Sequence, residues 1–583
     1  MKRSEFIANV VGAGRSSDPQ VEDQATSAFS SVTQSAAMRP TSGLEIYDGP
    51  WGPVPGGYEA AAHLLRRAMF GATKADIEHL MQRPFTTAVE EILASPPEET
   101  SEPLMDSDGD PIPFGQPWGF SPDRGNTGAR TASLKSWWLG LMLNQNLSVR
   151  EKMVLFWHNH FVTSIATVNE PRFSYRYAAL LRRYALGNFK EFVKQITIDG
   201  AMLRYLNGNT NRYNGNPDPG YSNENYGREL QELFTIGKGE EVTPGDYTNY
   251  TEDDVRAAAR VLTGWRDDSQ KLGDRANPAE PTSMFDPTRH NPNYKTFSIR
   301  YGSANVQGFP GAEGRYELDL MLDIIFAQQE VSRNIVRDIY RWFVYYTIDA
   351  TTEANVIEPL AQIFRTNNYE ILPVLNALFK SKHFFDSANV GCMIKSPIDF
   401  LVTLFRQFDI PFPTSLEIEK QYFLWNRVVS EARNLQQDLG DPPSVAGWSA
   451  YYQFPQYYKL WINTDTFPRR NRFSDLIAGN GISYEGHTLV FDPIPFVKAL
   501  SQPDDVNVVL DEITRYLMAI PLTANQKAFL KETLIPGLPD YEWTIEWDEY
   551  LADQNNAMKA NAMRSKLKQL FRTIMQMPEY QLS

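Results

Sequence analysis

Apolar residues return every three to four positions in segment after segment of this chain, a spacing that points to α-helix. In "EAAAHLLRRAMFG" they fall at Ala62, Leu64, Leu65, Ala68 and Met69, with Gly71 as the stop. "TKADIEHLMQ" follows with Thr73 as N-cap, and "TTAVEEILA" with Thr86 or Thr87. From Ala132 to about Leu206 helical patterns dominate. "NENYGRELQELFTIG" reads as a helix ending at Gly237, and "TEDDVRAAARVLTGW" as one capped at Thr251 or its neighbour, with acids in its first turn. Residues 266–315 are irregular, with short strands expected around "YKTFSIRYG", and mostly helices follow to the end. Alternating β patterns are rare and no internal repeat occurs. The expected class is mainly α: a large multi-helix globular fold with long irregular loops and at most minor β.

A chain of 583 residues exceeds what one small core needs. Its expected division is a Ser/Gln/Thr/Ala-rich mobile arm or degenerate leader over 1–44, a helical part over 45–315, and a second helical part over 316–583. The net charge of −15 opposes generic binding to a phosphate backbone, so no nucleic-acid partner is expected. Cys392 is the one cysteine, which excludes an internal disulfide and any cysteine-based metal site. No run reaches the ~20 apolar residues of a spanning helix. The N-terminus starts basic, but its apolar stretch Phe6–Ala13 is broken by Asn9 and Gly12. It makes a poor secretion signal, with a degenerate twin-arginine-like leader left open.

Chemistry could sit at three places. "EKMVLFWHNHFVTS" carries His158 and His160 inside an aromatic run. On a straight helix the two lie about 200° apart, so they chelate one metal only if the helix ends or distorts there. The alternative is two core histidines, one packed among aromatics and one capping a helix end. In "NENYGRELQELF", Glu229 and Glu232 share a helix face and Glu224 lies near the N-terminus, an arrangement suited to metal ligation or acid–base work. It equally suits a salt-bridged face, with Arg228 or a metal as the partner of Glu229. "FDPTRHNPNYKTF" places His290 in an irregular loop, with Asp286 four residues before it. "DSDGDP" resembles the start of a calcium loop, but a proline, Pro111, takes the place of its sixth-position glycine, so a solvated turn is expected. No P-loop, nucleophile elbow, G-x-G-x-x-G or H-E-x-x-H occurs.

These motifs, in their order, with "KSPIDFLVTLFRQF" and "DPPSVAGWSAYYQFPQYYKLWINTDTFPRRN" after them, resemble the bacterial domain-of-unknown-function 1800 family over roughly residues 57–580. The resemblance implies a predominantly helical protein associated with the cell envelope or periplasm. It also implies a neighbouring partner from the sulfatase-like domain-of-unknown-function 1501 family, or self-association. The family's pattern matches His158, His160, Asn223, Glu224, Asn225, Tyr226, Arg228, Glu229, His290, Lys295, Thr296 and Phe297. Members often carry Asp where this chain has Asn291.

Two functional readings follow. The first is a non-catalytic envelope or assembly protein, with the polar motifs as buried networks and aromatic loops such as "SAYYQFPQYYKLW" as a binding surface. The alternative is a metal-dependent hydrolase or oxidoreductase. A divalent transition metal would be held by His158, His160, His290 and Glu229, with Glu232 as alternate, and Glu229 or Glu224 would do the acid–base work. Asp286 or Glu224 would orient a histidine. In either reading the histidine pair is expected to couple to the Glu229 helix. "DPPSVAGW" is expected to be structural, with Pro442 and Pro443 stiffening it, Gly447 at positive φ and Trp448 anchored in the core.

Overall fold

A computed structural model describes residues 40, 42–94, 101–215, 222–277 and 280–583. Apart from Pro40 and residues 42–44, the expected N-terminal arm lies outside the described residues. The fold is mainly α, with 56% of residues helical and 6% in strands. The chain forms two compact units, one comprising residues up to 88, 381–437 and 458–583, the other 89–380 and 438–457. The boundary expected near residue 315 falls inside the second unit.

In the first unit, helix α1 (Gly57–Ala68) buries nearly every side chain. The chain then turns at Gly71 with φ +62°, where a Cβ would come within 2.8 Å of the Thr403 backbone. Thr73 caps the next helix in a reciprocal box with Asp76. The helix after that starts at Phe85, so Thr86 and Thr87 lie inside its first turn rather than capping it. His63 on α1 is a core histidine, its Nε2 3.0 Å from the Phe384 carbonyl.

The second unit is built on α2 (Thr127–Leu143), α3 (Arg150–His160) and α4 (Pro171–Tyr184). Helix α3 is buried on all sides, Asn159 excepted. The charges in its first turn are therefore paired, Glu151 with Arg182 at 2.5 and 2.7 Å. Four further helices complete the frame used below: α5 (Glu224–Glu232), α6 (Glu252–Val261), α7 (Glu317–Phe326) and α8 (Gln329–Phe343). Thr251 caps α6 in a second reciprocal box, with Asp254.

The strands are all short antiparallel pairs: β1 (Glu241–Thr243) with β2 (Asp246–Tyr247), β3 (Trp265–Asp267) with β4 (Ser283–Phe285), and β5 (Lys295–Thr296) with β6 (Asn305–Val306) in the second unit. The remaining pair, β7 (Ile482–Tyr484) with β8 (His487–Leu489), belongs to the first unit. The irregular stretch between β3 and β4 is held by a side chain. Arg176 of α4 donates to the carbonyls of Lys271, Leu272, Asp274, Asn277 and Glu280. "DSDGDP" is held in the same manner. Asp110 receives Nε and Nη2 of Arg130 at 2.9 and 2.6 Å, and both side chains are fully buried. The loop is thus pinned through a buried pair rather than solvated at that residue. Among the described residues no helix is long and apolar enough to cross a membrane.

Candidate functional site

The end of α3 is a hub from which successive side chains reach different parts of the second unit. The Trp157 indole donates to the Ala185 carbonyl at 2.9 Å. The Tyr177 hydroxyl donates to the Phe161 carbonyl at 2.5 Å and lies 3.0 Å from His158 Nδ1. A hydroxyl has one proton, so it accepts from His158, which fixes the imidazole as the Nδ1–H tautomer. Asn159 Oδ1 accepts the Trp448 N–H at 3.0 Å. Gly447, at φ +88°, lies so close that a Cβ would be 2.3 Å from that same oxygen. His160 Nε2 donates to the Phe234 carbonyl at 3.2 Å.

The helix runs undistorted through His160, so the two histidines diverge. His158 sits among Trp138, Tyr177 and Trp448, with ring centroids 4.9, 5.8 and 5.6 Å away. Burial pushes its pKa down to about 3, with the Lys135 charge adding to the effect and Asp441 opposing it. His158 is therefore neutral near pH 7, and its Nε2 has no hydrogen-bond partner among the described residues.

Helix α5 ends at Glu232, five residues before Gly237, because the Leu233 and Phe234 amides both bond the Glu229 carbonyl. That early end leaves the Phe234 carbonyl available to His160. The polar residues of "NENYGREL" are largely consumed in packing. Asn223 caps the helix and donates to the Asn207 carbonyl, Asn225 donates to the Leu206 carbonyl, and the Tyr226 hydroxyl to the Ile196 carbonyl. Arg228 is bidentate to Glu252 at 2.5 and 2.6 Å, not to Glu229. Glu224 lies 3.7 Å from Arg228 and 3.6 Å from Arg256, in an ion-pair network. Glu229 is pushed up to about 7 by burial and then by the neighbouring Glu232 charge. Glu232 accepts the Tyr250 hydroxyl at 2.8 Å and lies 3.5 Å from Lys238.

His290 belongs to a separate buried cluster. Its Nδ1 is 3.0 Å from the Thr263 carbonyl and its Nε2 3.0 Å from Glu317 Oε1. The other Glu317 oxygen binds Lys295, and the Phe309 amide donates to Oε1 at 2.7 Å. Gly314 makes room, since a Cβ there would be 2.4 Å from the His290 ring. Asn291 Oδ1 accepts the Asn293 amide, a job an aspartate oxygen could equally do. Asp286 does not contact His290; it caps the turn Pro287–Arg289 through Thr288 and faces Arg266 and Arg289.

The expected meeting of His158, His160, Glu229 and His290 at one point is thus not what the geometry gives. Each ring takes a local partner: His158 Nδ1 at Tyr177, His160 at a helix-end carbonyl, His290 at Glu317. Among the described residues no group of three or more His, Cys, Asp or Glu is arranged to hold a metal ion. Of the predicted residues, His160 and Glu232 are brought together. Both line a cleft of about 210 Å³, whose other walls are Phe156, Asn159, Leu233, Asn334, Asp338, Arg341, Trp342, Ala446, Tyr451 and Tyr452.

In this cleft His160 turns its Nδ1 toward Asp338 Oδ2, 3.7 Å away. Asp338 accepts from Arg341 at 3.3 Å. The aromatic wall packs tilted and edge on, with Trp342 and Tyr451 centroids 4.5 Å apart and Phe156 and Trp342 5.5 Å apart. The side-chain N–H of Trp342 and the Nε–H of Arg341 have no partner among the described residues. Sequence reading passed over Asp338, Arg341 and Trp342, although "RDIYRWF" places them three and four residues apart, on one helix face. It also passed over Tyr177 and Glu317, which carried no signal beyond being polar residues in helical patterns.

No curated protein and no solved structure matches the chain. A family model described as "Protein of unknown function (DUF1800)" matches residues 63–582, nearly the whole length. The chain belongs to the domain-of-unknown-function 1800 family.

Proposed function

We propose that the protein is a non-catalytic binding protein whose second unit presents the aromatic-walled cleft to a small ligand. One observation carries the reading. The side chains best suited to chemistry, His158, His290 and Glu224, are spent on holding segments together, while the cleft beside His160 is walled by aromatics and rimmed by hydrogen-bonding groups. Helix α3 supports this role by fixing the loop that supplies Tyr451 and Tyr452, through Asn159 and Trp448. The combination of apolar walls and a few convergent polar groups is that of a ligand site. Residence in the cell envelope, with a domain-of-unknown-function 1501 partner or self-association, forms part of the same proposal and is open to fractionation and co-purification.

The test is a thermal-shift screen of a chemically diverse compound set against the wild type and Tyr452→Ala. The expected result is compounds that stabilise the wild type, lose that effect in the variant, and are recovered chemically unchanged. Consumption of such a compound, or stoichiometric transition metal in the purified protein, would replace this reading with that of a metal-dependent enzyme. A set in which no compound stabilises the protein would refute the binding reading itself.

A further inference from the structure

The charges and rings around the cleft narrow what it can hold, and this step rests on the binding reading above. Both carboxylates on its wall already have cationic neighbours, Asp338 with Arg341 at 3.3 Å and Glu232 with Lys238 at 3.5 Å. A cationic ligand would have to displace those partners, and an anionic one would meet the two carboxylates. What the wall offers is directional and neutral in its demands: carboxylate lone pairs, His160 Nδ1, and the side chains of Asn334 and Tyr452, which carry donors. Hydroxyl groups can answer both kinds, because each donates once and accepts twice. The apolar part of the lining comes from Phe156, Trp342 and Tyr451, with Trp342 and Tyr451 tilted 36° to each other and Phe156 edge-on to Trp342. It matches a ligand with one C–H face and hydroxyls around its edge. The cleft, at about 210 Å³, has room for a small ligand rather than for a single water.

We propose that the cleft binds a neutral saccharide, one pyranose-sized unit seated against the Trp342–Tyr451 wall, with its hydroxyls toward Asp338 and Glu232. Tyr452 and Phe454, 44% and 79% exposed, continue the aromatic character of the same loop and would accommodate a neighbouring residue of an oligosaccharide.

The experiment is ligand-observed saturation-transfer NMR on the full chain. Probes are glucose, galactose and N-acetylglucosamine with their β-linked disaccharides, alongside tetramethylammonium and benzoate as cationic and anionic comparators. The expected result is transfer to ring C–H protons of at least one saccharide. Its affinity should fall about tenfold in Asp338→Asn, the loss of a charge-assisted hydrogen bond. A similar fall is expected in Tyr452→Ala, whose surface position leaves folding intact as judged by melting. Binding of a comparator but no saccharide would overturn the ligand class while leaving the binding reading standing. Saccharide binding untouched by both variants would overturn the site. No binding by any probe would overturn the saccharide proposal, and the thermal-shift screen would then decide the binding reading separately.

Discussion

Replacing Tyr177 with phenylalanine tests whether the histidine-bearing end of α3 is a structural hub. The hydroxyl donates to the Phe161 carbonyl at 2.5 Å and accepts from His158 Nδ1 at 3.0 Å, and all three groups are buried. Its removal strands one acceptor and one donor. Each stranded buried group costs about 1–3 kcal/mol, so Tyr177→Phe should destabilise by about 2–6 kcal/mol. His158→Phe removes the stranded donor, so the double variant should be more stable than the sum of the singles by about 1–3 kcal/mol. The assay is urea denaturation followed by hydrogen exchange at the amides of the second unit, because a chain of two units need not unfold in one step. The same cycle between His158→Phe and Glu229→Ala should be additive within about 0.3–0.5 kcal/mol, since each side chain has its own partners. A cost for Tyr177→Phe under about 1 kcal/mol, or coupling of His158 to Glu229, would refute the hub.

Acid should weaken the second unit through His158. Its folded pKa of about 3 lies below the ordinary 6.5, so the unfolded chain binds the proton more tightly. This contribution is fully present above pH 6.5 and is lost as pH falls toward 3; at 1.36 kcal/mol per unit its ceiling is about 5 kcal/mol. Stability measured at pH 7, 5 and 4 should therefore fall less steeply in His158→Phe than in wild type. Glu317→Gln should cost about 3–5 kcal/mol by leaving Lys295 without its carboxylate, and Lys295→Met in that background should recover part of the loss in the same denaturation assay. Trp448→Ala should cost about 3–5 kcal/mol, read as a lowered denaturation midpoint, because the indole is almost fully buried beside His158. Gly447→Ala should also destabilise, since φ is +88° and the added methyl would collide with Asn159.

Local structure was the most legible layer. The stops and caps at Gly71, Thr73 and Thr251 follow from local backbone chemistry, and they stand where the pattern places them. Gly447 and Trp448 were equally readable, because positive φ and a large indole after a Pro-rich turn have few other uses. Two local readings failed for tertiary reasons. Helix α5 stops at Glu232 rather than Gly237, and its freed Phe234 carbonyl is taken by His160 from another helix. Asp110 looked like a surface turn residue until Arg130, 20 residues on, enclosed it.

The candidate site was legible only as a list of residues that needed partners. Cost reasoning held that buried imidazoles need partners; each ring finds one on at least one nitrogen, but a phenol and two main-chain carbonyls serve where carboxylates were expected, and His158 Nε2 has no partner among the described residues. A carbonyl has no letter of its own in a sequence, and Tyr177 differs from the other tyrosines of this chain only by where α4 carries it. The carboxylate that comes within 3.0 Å of a predicted histidine, Glu317, sits 27 residues beyond His290 in an ordinary helical pattern. Partner choice in a helical protein is set by which helix ends and faces meet, and that information lies in the packing of the whole unit. This is why the "HNH" triplet, whose histidines read either as a chelating pair or as two core residues, serves as three separate anchors, with His160 left facing a cleft where a ligand could reach it.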